Sequence, residues 1–473
     1  MGQPSDQVTL PLQGEGKGWG HSELQEIRRH CKCRLEIHYF CLMDIKVFKF
    51  GGASVNSVAS VTNIPSILKR YPGHILVVIS AMDKTTNALE ELLRHYLTRD
   101  SVSMIDAYNR ILDFHETILQ GLFPDRNHPV YRETAALFDY LKGYLRKGHL
   151  DEKQDKGYDF EYDQVVSFGE LFSATIVHHY LVTSGLDCKL FDARKLVKTD
   201  HSYRDARVDW PSSVKLIRRS FKKYFSDTNH GRKIAMIQGF IGSDKEGNTT
   251  TLGREGSDYT AAIMAYAMKL REVTIWKDVP GIMNADPKWF RQAQKIDTLS
   301  YREAIELAYF GASVIHPKTI KPLENAEIIL RVKSFLDPEK MGTTVKNIKK
   351  WKVPFPIYIR KQNQVLISLS PRDFSFIMEK NLSQIFDILA KCRVRVNVMQ
   401  NSAISFSICV DDHPFVIPEL LKELGKNYEA LYNSGLDLYT IRHYDQSAIN
   451  RITRGRKVLL EQKSRNTVHL ILK

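Results

Sequence analysis

Hydrophobic residues in the central part of the chain fall into short, nearly continuous runs separated by longer amphipathic stretches. The short runs are rich in β-branched and aromatic residues, which is typical of strands covered on both faces; they are IKVFKF, HILVVIS, KIAMIQGF, EVTIWKDV and EIILRV. The longer stretches have helical spacing; they are TNALEELLRHYL, FGELFSATIVHHYL, SVKLIRRSF, DYTAAIMAYAMKL and SYREAIELAYF, the last beginning with a capping box of Ser300 and Glu303. This alternation predicts an α/β fold, a three-layer αβα sandwich around a mostly parallel sheet.

Two further segments flank this pattern. Helical stretches follow one another from about residue 87 to 150, which predicts a helical insertion in an α/β domain spanning residues 43–340. After a linker at KKWKVPFP, the order strand, helix, strand, strand, helix, strand predicts a ferredoxin-like α+β domain over residues 356–473. A hairpin, KVLLEQKSRNTVHLILK, ends that domain.

Residues 1–42 lack these patterns. The segment is glycine-rich at GEGKGWG and contains three of the six cysteines. Its cysteines and histidines fit no standard zinc-ligand spacing, and no strand precedes its GxG sequence, so neither a zinc site nor a dinucleotide loop is predicted. We expect a disordered leader, with the folded protein starting at Met43.

Composition narrows the class of protein. The 473 residues are 43% hydrophobic and 26% charged, as in ordinary globular proteins. No apolar run approaches the roughly 18 residues of a membrane span, and a signal-peptide pattern is absent, which favours the cytoplasm without membrane attachment. The net charge of +14 is spread among acidic residues, so we expect small acidic ligands such as nucleotides and carboxylates, and no nucleic acid.

The first chemical candidate follows the run IKVFKF. This run leads directly into Gly51 and Gly52, with Lys49 two positions earlier. Glycine lets backbone N–H groups approach a ligand closely, and a helix N-terminus that follows favours anions. The segment does not match the GxxxxGK[ST] pattern of a Walker loop. It is a candidate anion site, although a tight turn alone would also explain the glycines.

Two more candidates combine turn residues with charges. In TTTLGREGSDYTAAIMAYAMKL, Ser257 is expected to cap a helix, and Asp258 falls in the first turn, where the helix dipole favours a carboxylate. Simple capping for Asp258 and a surface ion pair for Arg254 are the structural alternatives. In IWKDVPGIMNADPK, a predicted strand ends in polar residues, where open α/β sheets bind ligands; ordinary turn chemistry is the alternative.

Together these segments resemble the aspartate kinase (aspartokinase) family, which has the amino-acid kinase fold and a C-terminal ACT regulatory module. The matching motifs occur in the family's order: KFGGAS, VVISAMDKTTN, SFGELFSA, QGFIGSDKEGNTTTLGREGSDYTAA, IWKDVPGIMNADP and ELAYFGASVIHPKTI. The resemblance covers Met43 to about Asp337, and the C-terminal module resembles an ACT domain. It implies transfer of the γ-phosphoryl group of ATP to the side-chain carboxylate of L-aspartate, giving 4-phospho-L-aspartate for lysine, threonine and methionine synthesis.

The resemblance also implies roles for individual residues. Lys49 and the amides of Gly51 and Gly52 would hold the transferred phosphoryl group, and Asp258 would orient Lys49. The matching substrate-pocket positions are Thr86, Glu170, Phe240, Arg254 and Ser257, with Arg254 on the α-carboxylate and Glu170 on the α-ammonium group. The ATP-site positions are Lys49, Lys277, Asp278, Met283, Asp286, Lys288 and Ser313, and Mg²⁺ would arrive with ATP without dedicated protein ligands.

The chain departs from the family pattern at three places. Glu255 replaces a glycine of the family's GRGGSD and would repel an acidic substrate if it pointed inward. Ser313 replaces the lysine of FGAKVLHP, and our hypothesis is that Lys277 or Lys318 supplies the missing charge. The C-terminal module shows one full ACT pattern and a hairpin, where many relatives have two units.

The module also contains a candidate effector site. Asn397, Gln400, Asn401 and Ser402, in VRVNVMQNSAISFSICV, are the positions proposed for lysine or threonine, with ordinary strand–turn chemistry as the alternative. Because one unit is predicted per chain, we expect a homodimer that pairs through the sheets of this module, or an enzyme without feedback. No Rossmann fingerprint follows the module, so a fused homoserine dehydrogenase is not expected.

Two other functions stay open. One is a kinase for another small acid, glutamate or N-acetylglutamate; the α-amino acid contacts implied for Arg254 and Glu170 favour aspartate or glutamate. The other is a catalytically inactive amino-acid sensor, which Glu255 and Ser313 would favour. Retention of Lys49, Glu170, Arg254 and Asp258 counts against the sensor.

Overall fold

Two sheets organise the molecule. The computed structural model describes residues 44–147, 157–227, 231–312, 315–349, 355–373 and 375–473. The predicted leader, residues 1–42, and the candidate ATP residue Ser313 lie outside these ranges. Within them, residues 45–346 contain an eight-stranded sheet and residues 357–472 a six-stranded sheet.

The larger sheet is mostly parallel, as predicted. Its strands are β1 (Ile45–Phe50), β2 (His74–Ile79), β3 (Cys188–Phe191), β4 (Ile234–Gln238), β7 (Glu272–Lys277), β8 (Thr298–Ser300), β9 (Ile329–Ser334) and β10 (Thr343–Lys346). Their order is β3-β4-β2-β1-β7-β9-β10-β8, and only the β10–β9 pairing among these described strands is antiparallel. A separate hairpin is formed by β5 (Ile241–Ser243) and β6 (Thr249–Thr251). The carboxyl ends of β1, β2, β4 and β7 therefore meet at one edge.

Helices cover both faces of this sheet because the side chains of each buried strand alternate between two apolar cores. In β1, Val47 packs into one core, and Phe48 and Phe50 pack into the other. The helices are α1 (Val58–Lys69), α2 (Thr85–Leu97), α3 (Ser101–Leu122), α4 (Pro129–Lys147), α5 (Tyr158–Val166), α6 (Phe168–Thr183), α7 (Trp210–Phe225), α8 (Gly256–Met268), α9 (Tyr301–Phe310) and α10 (Pro317–Asn325). The prediction of a three-layer αβα sandwich is confirmed.

Helices α2 to α4 occupy residues 85–147, the stretch for which the sequence predicts a helical insertion. The following helical stretch, Tyr158–Thr183, is the one part of the described chain that is long and apolar enough to cross a membrane by length and composition. Within this stretch, 78% of the most apolar 18-residue segment is buried inside the protein. Its apolarity thus matches that of a core helix packed inside a globular domain.

The smaller sheet is antiparallel. Its elements are β11 (Ile357–Pro371), α11 (Glu379–Lys391), β12 (Val396–Asn401), β13 (Phe406–Asp411), α12 (Val416–Leu424), β14 (Tyr428–Arg442), α13 (Gln446–Thr453), β15 (Val458–Lys463) and β16 (Thr467–Leu472). The strand order is β12-β13-β11-β14-β16-β15. Strands β12, β13, β11 and β14, with α11 and α12 between them in the chain, form the predicted ferredoxin-like unit.

The final hairpin belongs to a second unit of the same kind, so the prediction of one unit with an appended hairpin is corrected. Both β11 and β14 are 15 residues long, and their pairing shifts register near Gln364. Beyond this shift, residues 357–361 of β11 and 436–442 of β14 continue the sheet into β16 and β15. The order β11-β14-β16-β15, with α13 before β15, repeats the arrangement of the first unit. The two units share two uninterrupted strands, which is why the sequence pattern showed only one.

Candidate active site

A buried ion pair joins the end of β1 to the start of α8. The Lys49 ammonium lies 2.7 Å from Oδ1 of Asp258, and the two side chains are 9% and 2% exposed. Lys277, the last residue of β7, lies with its ammonium 3.7 Å from Oδ2 of the same carboxylate. Burial opposes ionisation of Asp258, but the positive charges of Lys49 and Lys277 outweigh it and hold the pKa of this carboxyl below its ordinary value.

The two positions after β1 require glycine because neighbouring atoms lie close to the backbone there. A Cβ on Gly51 would lie 3.2 Å from the Lys49 Nζ atom. A Cβ on Gly52 would lie 3.0 Å from the Asp83 carbonyl oxygen and 3.2 Å from that of Ala81. The turn therefore brings bare backbone against the ends of β1 and β2, beside the Lys49 ammonium.

A cavity of about 590 Å³ opens over this ion pair, and we call it the polar cavity. It brings together nine residues that the sequence singles out: Lys49, Gly52, Thr86, Glu170, Phe240, Arg254, Ser257, Asp258 and Lys277. Chain segments from β1, α2, α6, β7 and α8 meet here because their ends share one edge of the parallel sheet.

Glu170 supplies a buried carboxylate to the polar cavity. The side chain comes from the first turn of α6, and the residue is 3% exposed. Oε1 accepts a hydrogen bond of 3.2 Å from the Ala81 N–H, whereas Oε2 has no hydrogen-bond partner among the described residues. Burial raises the pKa of Glu170 to about 8, against smaller lowering effects of the Ala81 hydrogen bond and the Lys49 charge. Such a carboxyl is suited to receive a cationic ligand group.

The start of α8 differs from the prediction. The N-cap is Glu255, in the left-handed region at φ 54°, and no side chain caps the helix. Ser257 is not the cap; it lies within the first turn and lines the polar cavity, as does Asp258. Phe240, at φ 67°, is held by a 3.0 Å hydrogen bond from its N–H to Thr260 Oγ1 of the same helix. Glu255 also contributes to the cavity lining, although the sequence left an outward orientation open.

A second cavity, of about 420 Å³, lies between the domain with the eight-stranded sheet and the C-terminal module. We call it the interdomain cavity. Five predicted ATP-site residues line it: Lys277, Asp278, Met283, Asp286 and Lys288. The opposite wall comes from β11 of the C-terminal module, including Ile357, Tyr358 and Ile359. Lys277 lines both cavities, so the two are adjacent across this side chain.

The two lysines considered as replacements for the charge lost at Ser313 have different surroundings. Lys277 reaches Asp258 and both cavities. Lys318 forms an ion pair with Asp205 and is absent from the lining of either cavity. The geometry favours Lys277.

The candidate effector residues are separated. Asn397 is engaged in the module's interior polar network: it donates to Gln364 Oε1 at 2.8 Å and to Asp411 Oδ1 at 2.9 Å, and accepts from Lys361 at 2.8 Å. It faces a narrow cleft beside Tyr309 of α9. Gln400, Asn401 and Ser402 are exposed at the end of β12, an edge strand of the sheet.

Sequence reasoning missed several residues that line the polar cavity: Ser80, Ala81, Asp83, Asn87, Tyr162 and Arg204. A signal existed for the first four, because SAMDKTTN directly follows the predicted strand that became β2. Tyr162 and Arg204 come from α5 and from the loop before α7, and no motif pointed to them.

A family comparison and a comparison with curated proteins agree on the class of protein. The sequence model of the amino acid kinase family matches residues 44–334. Lysine-sensitive aspartokinase 3 of Escherichia coli is 31% identical over 372 residues, which are 78% of this chain and 79% of that protein. Aspartokinase 1, chloroplastic, of Arabidopsis thaliana is 29% identical over 80% of this chain and 65% of its own length. The chain spans 32% of the maize bifunctional aspartokinase/homoserine dehydrogenase 1, at 33% identity.

Solved structures give the same result. The chain superimposes on E. coli aspartokinase III in complex with aspartate and ADP with a TM-score of 0.73 and 27% identity, covering 91% of this chain and 96% of that one. For the complex of the same enzyme with lysine and aspartate, the TM-score is 0.74 at 27% identity, with coverage of 90% and 95%. The similarity thus extends over both sheets and through the C-terminal module.

Proposed function

The chain belongs to the aspartokinases of the amino acid kinase family, and we infer that it transfers the γ-phosphoryl group of ATP to the side-chain carboxylate of L-aspartate, giving 4-phospho-L-aspartate. One observation carries this inference: three distant parts of the chain, at Lys49, at Glu170 and at the segment with Arg254 and Asp258, line the same cavity. The cavity offers a cation for the transferred phosphoryl group, and a carboxylate and a guanidinium for the two ends of an α-amino acid.

Phosphoryl transfer requires positioning and charge neutralisation more than covalent chemistry. The Lys49 ammonium and the backbone N–H groups of the Gly51–Gly52 turn are suited to the charge on the phosphoryl oxygens. Asp258 fixes Lys49 by the 2.7 Å ion pair. It has no proton to remove, because the attacking side-chain carboxylate of aspartate, with an ordinary pKa of about 3.9, is already ionised at neutral pH.

The other end of the acceptor is read by its ammonium and α-carboxylate groups. Glu170 offers the buried Oε2 that has no partner among the described residues, and an ammonium group would satisfy it. Arg254 is exposed at the cavity and can form a bidentate pair with a carboxylate. This arrangement favours a free α-amino acid over N-acetylglutamate, which lacks the ammonium charge.

The nucleotide is proposed to occupy the interdomain cavity. Its lining combines apolar side chains such as Ile282 and Leu307 with Asp278, Asp286 and Lys288. Lys277 would reach the phosphates between the two cavities. Mg²⁺ is proposed to arrive with ATP, carried mainly by its phosphates, whose charge it would neutralise.

Feedback inhibition by lysine is the regulation we propose, because the E. coli relative is named lysine-sensitive and its structure was solved with lysine. Threonine is the second candidate effector. The exposed edge strand β12, with Gln400 to Ser402, is the proposed surface for pairing with a second copy of the chain. We keep the cytoplasm as the proposed location, although the plant relatives are named chloroplastic.

A coupled ADP assay tests the proposed function. The full chain with ATP and Mg²⁺ should release ADP only when aspartate is added, with kcat/KM for aspartate well above that for glutamate. Trapping with hydroxylamine should convert the acyl phosphate into aspartyl hydroxamate. Release of ADP with glutamate alone would replace aspartate by glutamate as substrate, and no aspartate-dependent release would leave the inactive sensor as the better description.

A further inference from the structure

The loop between β3 and α7 places an arginine at the mouth of the polar cavity. The loop is closed at its base by the bridge between Thr199 and Val208 and by the hydrogen bond of 2.9 Å from the Asp200 N–H to the Arg207 carbonyl. Arg204 lies near its tip and lines the cavity. Neither the motifs nor the proposed mechanism gives this residue a role.

The backbone of Arg204 is held in an uncommon conformation. Its φ is 66°, in the left-handed region that disfavours residues with a Cβ. The Arg204 N–H donates to both carboxylate oxygens of Asp163 at 3.1 Å, and Asp163 is fully buried. Asp163 also accepts hydrogen bonds from Thr251 N–H at 2.8 Å and from its hydroxyl at 2.6 Å. One buried carboxylate thus fixes the loop against the strand that leads to Arg254.

The Arg204 side chain is oriented over aromatic rings at the cavity. Its guanidinium lies 4.6 Å from the ring centre of Tyr162, which also lines the cavity, and 5.1 Å from that of Tyr158. Its contacts with Asp159 at 3.4 Å and Glu90 at 4.0 Å are longer than the roughly 2.7–2.9 Å of a tight guanidinium–carboxylate pair. The side chain is 44% exposed, so a ligand can reach it.

The backbone of the same residue lies close to the segment that carries Arg254. A Cβ on Gly253 would lie 3.3 Å from the Arg204 carbonyl oxygen. Arg204 therefore stands beside the end of the cavity assigned to the α-carboxylate.

Charge in the cavity points to the same role. Four basic and four acidic side chains line it: Lys49, Arg204, Arg254 and Lys277, and Asp83, Glu170, Glu255 and Asp258. Removal of Arg204 would leave three basic side chains in a cavity that is proposed to accept an acidic amino acid, and two of these, Lys49 and Lys277, already contact Asp258.

We propose that Arg204 is a second carboxylate-binding residue of the acceptor site, which holds the α-carboxylate of the amino acid together with Arg254. This inference rests on the proposed function, because it assumes that the polar cavity binds the acceptor. It assigns recognition of a dicarboxylic amino acid to two guanidinium groups on different loops.

The test uses Arg204→Gly in the full chain, because glycine accepts a positive φ and the change removes the side chain without straining the fold. Arg99→Gly is the matched control: Arg99 is also an exposed arginine at positive φ, 58°, but it is not among the residues that line the polar cavity. We expect Arg204→Gly to raise the KM for aspartate by about tenfold, as for loss of one charge-assisted hydrogen bond, with kcat and the KM for ATP changed less than about threefold. Arg204→Lys should recover part of the loss, since it keeps the charge without the planar fork.

Thermal melting separates binding from structure. Arg204→Gly should melt no lower than the parent protein, and its kcat/KM for aspartate should depend less on salt. A KM for aspartate no higher than that of Arg99→Gly, or a loss of activity that follows a lowered melting temperature, would overturn the proposal. If the parent protein does not phosphorylate aspartate at all, the proposed function fails, which this comparison distinguishes from failure of the Arg204 assignment.

Discussion

Two buried carboxyl groups of the polar cavity show how neighbouring charges set the chemistry of single residues. Asp258 contacts two ammonium groups, which hold its pKa low despite burial. Glu170 is buried without such a contact, and burial raises its pKa to about 8. At neutral pH the first is therefore a fixed anion and the second is mostly protonated in the empty site.

This difference predicts proton release on binding of aspartate. An ammonium group next to Glu170 lowers the pKa of its carboxyl, so at about pH 7, below the value of about 8 in the empty site, binding should expel close to one proton. Calorimetric titration in two buffers of different ionisation enthalpy measures the release, which should vanish in Glu170→Gln and shrink above about pH 8. In the absence of ligand, the raised pKa also makes the free energy of unfolding depend on pH. The contribution of Glu170 to this free energy is greatest at low pH and is lost as pH rises through about 8. Unchanged proton release in Glu170→Gln would contradict the assignment.

The charge lost at Ser313 gives a second prediction for single residues. Lys277→Ala should raise the KM for ATP about tenfold and lower kcat, because Lys277 lies between the two cavities and contacts Asp258. Lys318→Ala, which breaks an ion pair with Asp205 outside both cavities, should leave the KM for ATP unchanged. Steady-state kinetics with varied ATP decides between the two lysines, and normal kinetics in Lys277→Ala would refute the hypothesis for that residue.

At the level of helices and strands, the site depends on how α8 meets the turn after β4. A Cβ on Gly239 would lie 2.4 Å from the Cβ of Ser257 and 2.8 Å from its Cα. Gly239 thus lets the first turn of α8, with Ser257 and Asp258, approach the sheet edge closely enough for Asp258 to reach Lys49. The helix start is positioned by backbone packing and not by a capping side chain.

Substitution of this glycine should displace the catalytic turn. Gly239→Ala should reduce the free energy of unfolding by about 1–3 kcal/mol through overpacking and lower kcat, because the Lys49–Asp258 pair is disturbed. Gly143→Ala in α4 is the control: its Cβ meets nothing within 4 Å, and alanine in place of glycine should stabilise the helix by about 0.5–1 kcal/mol. Denaturant unfolding and kcat measure both effects; full activity and stability in Gly239→Ala would show that the turn can relax.

Across the molecule, the C-terminal module is packed directly onto the proposed nucleotide loop. Trp289 and Phe290, which follow Lys288, join the core of the module's second unit, and Phe290 stacks on Tyr358 with ring centres 4.7 Å apart. Arg442 of β14 forms a bidentate pair with Glu303 of α9 at 2.9 and 2.7 Å; Glu303 is buried, and the Arg442 side chain is 11% exposed. A capping box would direct the Glu303 carboxylate to the backbone N–H of Ser300. Instead, this carboxylate accepts hydrogen bonds from Arg442 and so joins the two domains.

Breaking this pair should uncouple the domains. Arg442→Met leaves Glu303 buried without its main partner and should cost about 3–5 kcal/mol of stability, with loss of any lysine inhibition measured in the coupled assay. Lys426→Ala, which breaks the exposed pair with Glu423, should change stability by less than about 0.5 kcal/mol. Burial opposes ionisation of Glu303, but hydrogen bonds from His443 and Arg442 outweigh it and lower its pKa to about 2.

The lowered pKa sets the sign of the acid dependence. The stabilisation from Glu303 is present above its ordinary pKa of 4.5 and is lost as pH falls towards 2. When pH falls from 4.5 towards 2, the free energy of unfolding of Arg442→Met should therefore decrease less than that of the parent protein. Lysine inhibition retained in a folded Arg442→Met protein would place the coupling elsewhere.

The sequence was sufficient for the parallel sandwich and for the residues at its strand ends. Continuous apolar runs define buried strands, and the carboxyl ends of parallel strands share an edge, so Lys49, Glu170, Arg254 and Asp258 could be expected near one another. Arg204 and Tyr162, the doubled C-terminal unit and the wall that β11 gives to the interdomain cavity could not be foreseen. Those features depend on which distant segments pack together, and on two strands long enough to serve two units, and the spacing of neighbouring residues carries no information about such contacts.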